Sequence, residues 1–311
     1  MRTLITGGAG FIGSHVADAC LEDGHEVVVV DDLSTGSRAN VSRDAKLVEL
    51  DIRRQADVEA LVADFRPDAI SHQAAQVSVS VSTREPQRDA DVNVIGSLNL
   101  LQAAAKYGVR RFVFASTGGA IYGELPEPER GRVGRTPAPL SPYACSKLAV
   151  ETYLHYYRQV HGLPTTVLRY ANVYGPRQDP HGEAGVVAIF TERLLAGKPI
   201  QVYARRQPGD AGCIRDYVYV ADVVRANRLA LAGKISEPVI NVGTGVETAT
   251  LELAHRIAAA IGTEAQITFG PRRLGDVERS VLEPWPGLGT TVPLEAGIAR
   301  TVEWFRARGR R

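Results

Sequence analysis

A chain of 311 residues is long enough for a full doubly wound sheet with a smaller lobe, and too long for one minimal domain. Its 44% hydrophobic and 23% charged residues are ordinary globular values, and a net charge of +1 argues against a nucleic-acid footprint. Three widely spaced cysteines, Cys20, Cys145 and Cys213, give neither a metal-ligand spacing nor a disulfide framework, as expected in a reducing cytoplasm.

The first predicted strand, at Leu4 and Ile5, runs into Gly7, Gly10 and Gly13 and then into a helix over 11–23. That order suits a dinucleotide-binding turn. Gly7 turns the chain off the strand, Gly10 lets the backbone approach a pyrophosphate, and Gly13 lets the helix lie close to the sheet. The diphosphate then meets free N–H groups at the positive end of the helix. The run over 25–30, apolar from Val27, is a second strand and ends at Asp31, roughly 20 residues past the glycines. A carboxylate there accepts hydrogen bonds from ribose hydroxyls and repels a 2′-phosphate, which points to NAD rather than NADP.

Strands and helices then alternate. Residues 46–50 form a third strand, 55–64 a helix, 68–72 a fourth strand, 88–107 one long helix and 110–115 a fifth strand. Repeated strand–helix–strand units give a parallel sheet with helices on both faces. Cofactor groups gather beyond the carboxyl ends of its strands. Residues 118–141 read as a surface loop over the site. Ser141 and Pro142 then start a helix to about Val160, and 163–170 form a sixth strand.

Beyond Gly175 comes a polar loop over 176–185 and then shorter elements. These are a helix over 186–196, strands over 200–203 and 213–218, a helix over 220–232, a strand over 239–242 and a helix over 251–261. The expected architecture is α/β: a Rossmann-type doubly wound parallel sheet over 1–175, joined by some later segments, and a smaller α/β substrate lobe mainly over 176–311. The basic run over 306–311 reads as a frayed end. No charged leader precedes an apolar core, and no apolar run approaches the ~20 residues that span a bilayer. A cytoplasmic protein with no membrane or nucleic-acid partner is expected.

Tyr143 and Lys147 stand four apart on the helix that starts at Pro142, so they share a face. A phenol with a pKa of about 10 is a poor base. An adjacent ammonium and a positive nicotinamide ring favour the phenolate, which can then take a proton from an alcohol whose carbon gives up a hydride. Ser116 and Thr117, at the end of the fifth strand, offer a hydroxyl to the reacting oxygen.

The three motifs in this order resemble the extended short-chain dehydrogenase/reductase superfamily. Further stretches are similar to its NAD-dependent nucleotide-sugar epimerase/dehydratase family, and within it to the branch that epimerises UDP-hexoses at C4. These begin at His72 (HQAAQ), Leu168 (LRYANVYG), Arg215 (RDYV), Asn241 (NVG) and Arg272 (RRLGD). The resemblance covers residues 1 to about 281.

It implies NAD contacts from Phe11 and Ile12, and an adenosine end held by Asp31, Asp32, Ser34, Thr35 and Gly36, with Asp51 and Ile52 at the adenine. Gln73, Ala74, Ala75, Gln76, Asn93 and Ser116 would line the rest of the groove, and Tyr170 and Val173 would flank the nicotinamide. Tyr143, Lys147 and Thr117 would be catalytic, with Ser116 as the alternative hydroxyl. Thr117, Tyr143, Asn172, Val186, Gln201, Tyr203, Arg215, Arg273 and Asp276 would hold a UDP-sugar. The implied reaction interconverts UDP-glucose and UDP-galactose through a 4-keto sugar, with UDP-glucuronate or UDP-N-acetylglucosamine as alternative substrates. A homodimer built on the helices over 88–107 and 142–160 is also implied, and no metal.

The sequence departs from the family's dehydratases. These carry an Asp–Glu pair after the fifth-strand threonine, where this chain has Gly118, Gly119 and Ala120. Ungapped counting puts the small Ser280 where some epimerases close the sugar pocket with tyrosine, which leaves room for a bulky substituent. The segment over 283–291 is shorter than usual and lacks the customary helical stretch. A non-enzymatic NAD-binding protein on this fold would be expected to have lost Tyr143 or Lys147, and both are present.

Overall fold

A computed structural model describes residues 1–181, 185–273 and 275–308. The first half contains β1 (Arg2–Thr6), α1 (Phe11–Glu22), β2 (Glu26–Asp31), β3 (Lys46–Glu49), α2 (Gln55–Phe65), β4 (Ala69–His72), α3 (Val79–Arg84), α4 (Pro86–Ala90), a π-helical turn (Asp91–Ile95), α5 (Gly96–Lys106) and β5 (Arg111–Thr117). There follow α6 (Gly118–Ile121), α7 (Pro142–Val160), β6 (Thr165–Tyr170), β7 (Asn172–Tyr174), α8 (Val186–Leu195), β8 (Ile200–Tyr203), β9 (Ile214–Arg215) and β10 (Tyr217–Tyr219). The chain ends with α9 (Val220–Leu231), β11 (Val239–Val242), β12 (Thr248–Ala249), α10 (Thr250–Ile261), β13 (Ile267–Gly270), β14 (Arg279–Ser280) and α11 (Leu294–Arg308).

The chain forms two compact units that interleave in sequence. The first comprises 1–117, 141–169 and 223–240, and the second comprises the described residues of 118–140, 170–222 and 241–311. The chain therefore changes unit several times along its length.

The first unit is built on a seven-stranded sheet of order β11-β6-β5-β4-β1-β2-β3. β1 runs parallel to β2 and β4, β2 to β3, and β4 to β5. Such strands are covered on both faces and read as near-continuous apolar runs. Val27 to Val30 and Phe112 to Phe114 are buried accordingly. Val58 and Val62 of α2, Leu100 and Leu101 of α5, and Val150 and Leu154 of α7 join Leu4, Val28, Ile70 and Phe112 in one core cluster. Each such side chain contributes roughly 1.5–3 kcal/mol on burial. Strand order reverses between β1 and β4, and at such a switch point the carboxyl ends of neighbouring strands open a crevice for ligands.

Several expected elements differ. The helix expected over 88–107 is α4, the π turn and α5. Apolar spacing alone does not register the one surplus residue that a π turn inserts. The strand expected over 213–218 splits at Asp216 into β9 and β10, which belong to different small sheets. The Asp216 carboxylate draws the chain aside by accepting hydrogen bonds from the N–H of Thr244 (2.9 Å) and Gly245 (3.0 Å) and from the Thr244 hydroxyl (2.6 Å).

The stretch over 118–141 is not a surface loop throughout. It opens with α6, and Tyr122 and Leu125 are buried. Buried Arg279 fastens it by donating to the carbonyls of Leu125 (3.2 Å) and Glu129 (2.5 Å), while its other arm meets Glu247 (2.5 Å). The basic end is not frayed through residue 308. Arg306 and Arg308 belong to α11, where Arg306 donates to the Ile261 carbonyl at 2.6 Å and Arg308 lies over the Trp304 ring. Residues 309–311, like 182–184 of the polar loop, lie outside the described residues. α8, α10 and α11 pack together in the second unit.

Candidate active site

The turn after β1 leaves no room for side chains at two positions. Gly7 has φ +69°, and a Cβ there would come within 2.6 Å of the Ala74 backbone nitrogen. A Cβ on Gly13 would sit 2.1 Å from the Gly7 carbonyl oxygen. Gly10 caps α1 without a side chain, and the first turn, which contains Phe11 and Ile12, carries no acidic residue. The first turn of the helix therefore contributes no carboxylate of its own at its positive end.

Asp31 closes β2. Its carboxylate accepts from the N–H groups of Ala9 and Leu33, both at 2.9 Å. Burial pushes its pKa up, against those hydrogen bonds. A Cβ on Gly36 would come within 2.7 Å of an Asp31 carboxylate oxygen. Asp32 accepts from both the N–H and the hydroxyl of Ser34, and Thr35 is exposed beside them. Hydrogen bonds from Arg53 hold the Asp51 carboxyl below its ordinary range. Ile52 is buried, and its side chain lies where a Cβ on Gly96 would sit.

After β4 the chain carries Gln73, Ala74, Ala75 and Gln76. Gln73 donates its amide to Ser71 and to Asn227 of α9, both at 3.0 Å. The backbone of Gln76 is held twice by Asn93 of the π turn: its N–H donates to Asn93 Oδ1 (2.9 Å) and its carbonyl accepts from Asn93 Nδ2 (3.0 Å). Behind them lies His72. Ser97 donates its hydroxyl proton to the Asn93 carbonyl (2.5 Å), so it accepts from His72 Nε2 (2.8 Å). His72 Nδ1 then accepts from the Thr6 hydroxyl at 2.7 Å. Burial, with help from nearby Lys147, pushes the His72 pKa down to about 3, so the ring is neutral.

Tyr143 and Lys147 lie in the first two turns of α7, which Ser141 caps through the Ala144 N–H. Burial and the charge of Asp89 push the Tyr143 phenol well above its ordinary value, outweighing the Thr117 side chain, which pulls it down. Lys147 is 3% exposed. It donates to the Ala115 carbonyl at 2.9 Å, and its Nζ lies 5.9 Å from the Tyr143 ring centroid and 4.8 Å from that of Phe114. Burial pulls the ammonium down to about 8, opposed by the charges of Asp89 and Glu151. Ser116 is turned to another partner and donates to Glu151 at 2.5 Å. Glu151 in turn holds the Arg169 guanidinium in a buried pair (2.5 Å).

In the second unit Asn172 donates its side-chain amide to the Asp216 carbonyl (3.2 Å), and β7 pairs with β10, Val173 opposite Val218. Tyr170 is buried at the end of β6. Val186 is the first residue of α8. Gln201 and Tyr203 lie on β8, and the Arg273 guanidinium stacks over the Tyr203 ring at 3.7 Å. Asp276 follows on the same turn, its N–H donating to the Arg273 carbonyl at 3.4 Å. Arg215 pairs in register with Ser280, which is buried.

Sequence reasoning missed Asp89 and Glu151. Glu151 carried a usable signal, standing four residues beyond Lys147 on the same helix. Asp89 carried none, because it accepts from Ser146, 57 residues further along the chain. Among the described residues no group of three or more His, Cys, Asp or Glu side chains is placed to hold a metal ion, and no helix is long and apolar enough to cross a membrane.

Residues 3–243 match the family model described as the NAD dependent epimerase/dehydratase family. A UDP-glucose 4-epimerase of Mycolicibacterium smegmatis is 47% identical over 98% of this chain and 99% of its own. The crystal structure of a Thermus thermophilus UDP-glucose 4-epimerase in complex with NAD superposes with a TM-score of 0.95 at 52% identity, covering 98% of this chain and 99% of that one. A Thermotoga maritima UDP-glucose 4-epimerase solved with UDP-glucose gives a TM-score of 0.93 at 46% identity, with 99% of each chain covered.

Proposed function

The chain belongs to the NAD-dependent epimerase/dehydratase family, and from that membership we propose that it interconverts UDP-glucose and UDP-galactose by epimerisation at C4. The observation that carries this reading is the placement of Tyr143 and Lys147 on the first two turns of α7, with the Lys147 ammonium 5.9 Å from the Tyr143 ring centroid.

The residues of the first unit fit NAD. The uncapped start of α1 suits a diphosphate, and the Asp31 carboxylate suits a ribose diol. Gly7, Gly10, Phe11, Ile12 and Gly13 would hold the phosphates, and Asp31, Asp32, Ser34, Thr35, Gly36, Asp51 and Ile52 the adenosine. Gln73, Ala74, Ala75, Gln76, Asn93, Ser116, Tyr143 and Lys147 would border the remainder. Bound NAD supplies a reversible hydride store.

Tyr143 would remove the proton of the sugar's 4-hydroxyl and later return one to the same oxygen. Thr117 would hydrogen-bond that oxygen, and Lys147 would stabilise the phenolate while the reaction proceeds. Asn172, Val186, Gln201, Tyr203, Arg215, Arg273 and Asp276 would anchor the nucleotide. Guanidinium groups match paired phosphate oxygens, and a carboxylate matches a diol. An anchored nucleotide lets the 4-keto sugar present its other face. Gly118, Gly119 and Ala120 offer no acid–base pair for elimination, which favours epimerase over dehydratase.

We also read the protein as a cytoplasmic homodimer. Ile95 next to α5, and Tyr153, Tyr156 and Val160 on α7, are exposed apolar side chains of the kind that helix–helix interfaces cover.

The test is turnover of UDP-galactose, UDP-glucuronate and UDP-N-acetylgalactosamine with NADH monitored. Interconversion of UDP-galactose and UDP-glucose without NADH accumulation is expected. NADH released at each turnover, or no reaction with UDP-galactose, overturns the proposal, and preference for either other sugar reassigns the substrate.

A further inference from the structure

Asp89 is 0% exposed, yet its three hydrogen-bond donors among the described residues are neutral. Gln76 Nε2 (2.8 Å) and Asn93 Nδ2 (3.1 Å) donate to one carboxylate oxygen, and the Ser146 hydroxyl (2.6 Å) donates to the other. A buried carboxylate that meets no cation directly is costly unless a nearby positive charge compensates it. Ser146 precedes Lys147 on α7. Glu151 of α7 also favours the charged lysine, but it is shared with the Arg169 guanidinium of β6, and His72 of β4 is neutral. Tyr143 is a protonated phenol. On α4 itself Arg88 pairs with Glu85 at the exposed face.

We propose that Asp89 is a positioning residue of this site: its carboxylate is the internal counter-charge of the Lys147 ammonium, and its bonds to Gln76, Asn93 and Ser146 clamp the cofactor-side loop and the π turn to the helix that bears Tyr143. This rests on reading Tyr143 and Lys147 as the reacting pair. The placement has a physical logic. A carboxylate bonded directly to the ammonium would compete with the phenolate for it, whereas one bonded to neutral donors favours the charged lysine and leaves its protons to other partners. Three neutral donors also fix the carboxylate's orientation, so the charge is pre-organised.

The chain has five lysines, which makes Nζ-selective nitrogen NMR of the NAD-saturated protein tractable, and Lys147→Arg identifies the Lys147 signal. In Asp89→Asn, Lys147 is expected to lose its proton at least about one pH unit lower than in the parent, a tenfold change in the equilibrium. Ser146→Ala removes a bond but no charge, and is expected to leave that midpoint within a few tenths of a unit. An unmoved midpoint in Asp89→Asn, or an equal shift in Ser146→Ala, overturns the proposal. Should Asp89→Asn not fold, Asp89→Asn/Lys147→Met carries the test. Recovery of folded protein once the ammonium is gone supports the pairing, and no recovery overturns it. Because the titration needs no substrate, it can succeed while the epimerase assay fails, and the reverse.

Discussion

Ser116 donates its hydroxyl to Glu151 at 2.5 Å, while its neighbour Thr117 acts on the Tyr143 phenol and pulls its pKa down. Two adjacent hydroxyls at one strand end thus serve different partners, one in a buried ion-pair network and one at the phenol. Thr117→Val is expected to lower turnover by about 10²-fold or more with little loss of stability. Ser116→Ala is expected to cost about 1.5–3 kcal/mol in urea unfolding, the range for a hydrogen bond to a charged group, with a much smaller effect on turnover. Paired unfolding and rate measurements on the two variants check this.

Tyr143→Phe keeps the ring and removes the group that moves the proton. Turnover is expected to fall by about 10²–10⁴-fold while NAD remains bound. Cofactor content after gel filtration, measured beside the rate, separates lost chemistry from lost binding.

The ammonium of Lys147 is pulled down to about 8 by burial. Above that pH it is progressively lost, and the phenolate loses its stabilising neighbour. Turnover is expected to fall on the alkaline side with a midpoint near 8, read from a pH–rate profile at saturating substrate.

His72 governs acid stability with a definite sign. Its pKa lies near 3 in the folded protein and near 6.5 when unfolded, so between those values the unfolded chain binds more protons. The stabilising contribution is complete above about pH 6.5 and is lost as pH falls toward 3. The urea midpoint is expected to drop steadily across that window, and His72→Asn is expected to flatten the drop.

Gly13→Ala would place a methyl 2.1 Å from the Gly7 carbonyl oxygen. Relief of that clash must separate the helix from the turn. Purified Gly13→Ala is expected to lack bound NAD and to lose about 1–3 kcal/mol of stability. A variant that retains NAD at parental stability contradicts the tight packing described for this turn.

The sequence was most informative where chemistry is encoded locally. Gly7, Gly13 and Asp31 each answer to a constraint set within one strand–turn–helix unit, and the four-residue spacing of Tyr143 and Lys147 is a property of any helix. It was least informative where a residue's partner comes from far along the chain. Ser116 and Thr117 could be told apart only by where Glu151 and Tyr143 of α7 reach β5. β9, β12 and β14 are two residues long, too short to leave a period, and Asp216 breaks a strand through a bond to a loop 28 residues away.

A π turn is an α-helix that has gained one residue without losing its axis. Removing a single residue from 91–95 would relax the turn to ordinary helix and rotate everything before it by about 100° relative to α5. The core packing of α5 would survive such a shortening, but the carboxylate of Asp89 would swing away from α7. A one-codon deletion there is therefore expected to leave α5 in its place in the core while stripping the Lys147 ammonium of its counter-charge.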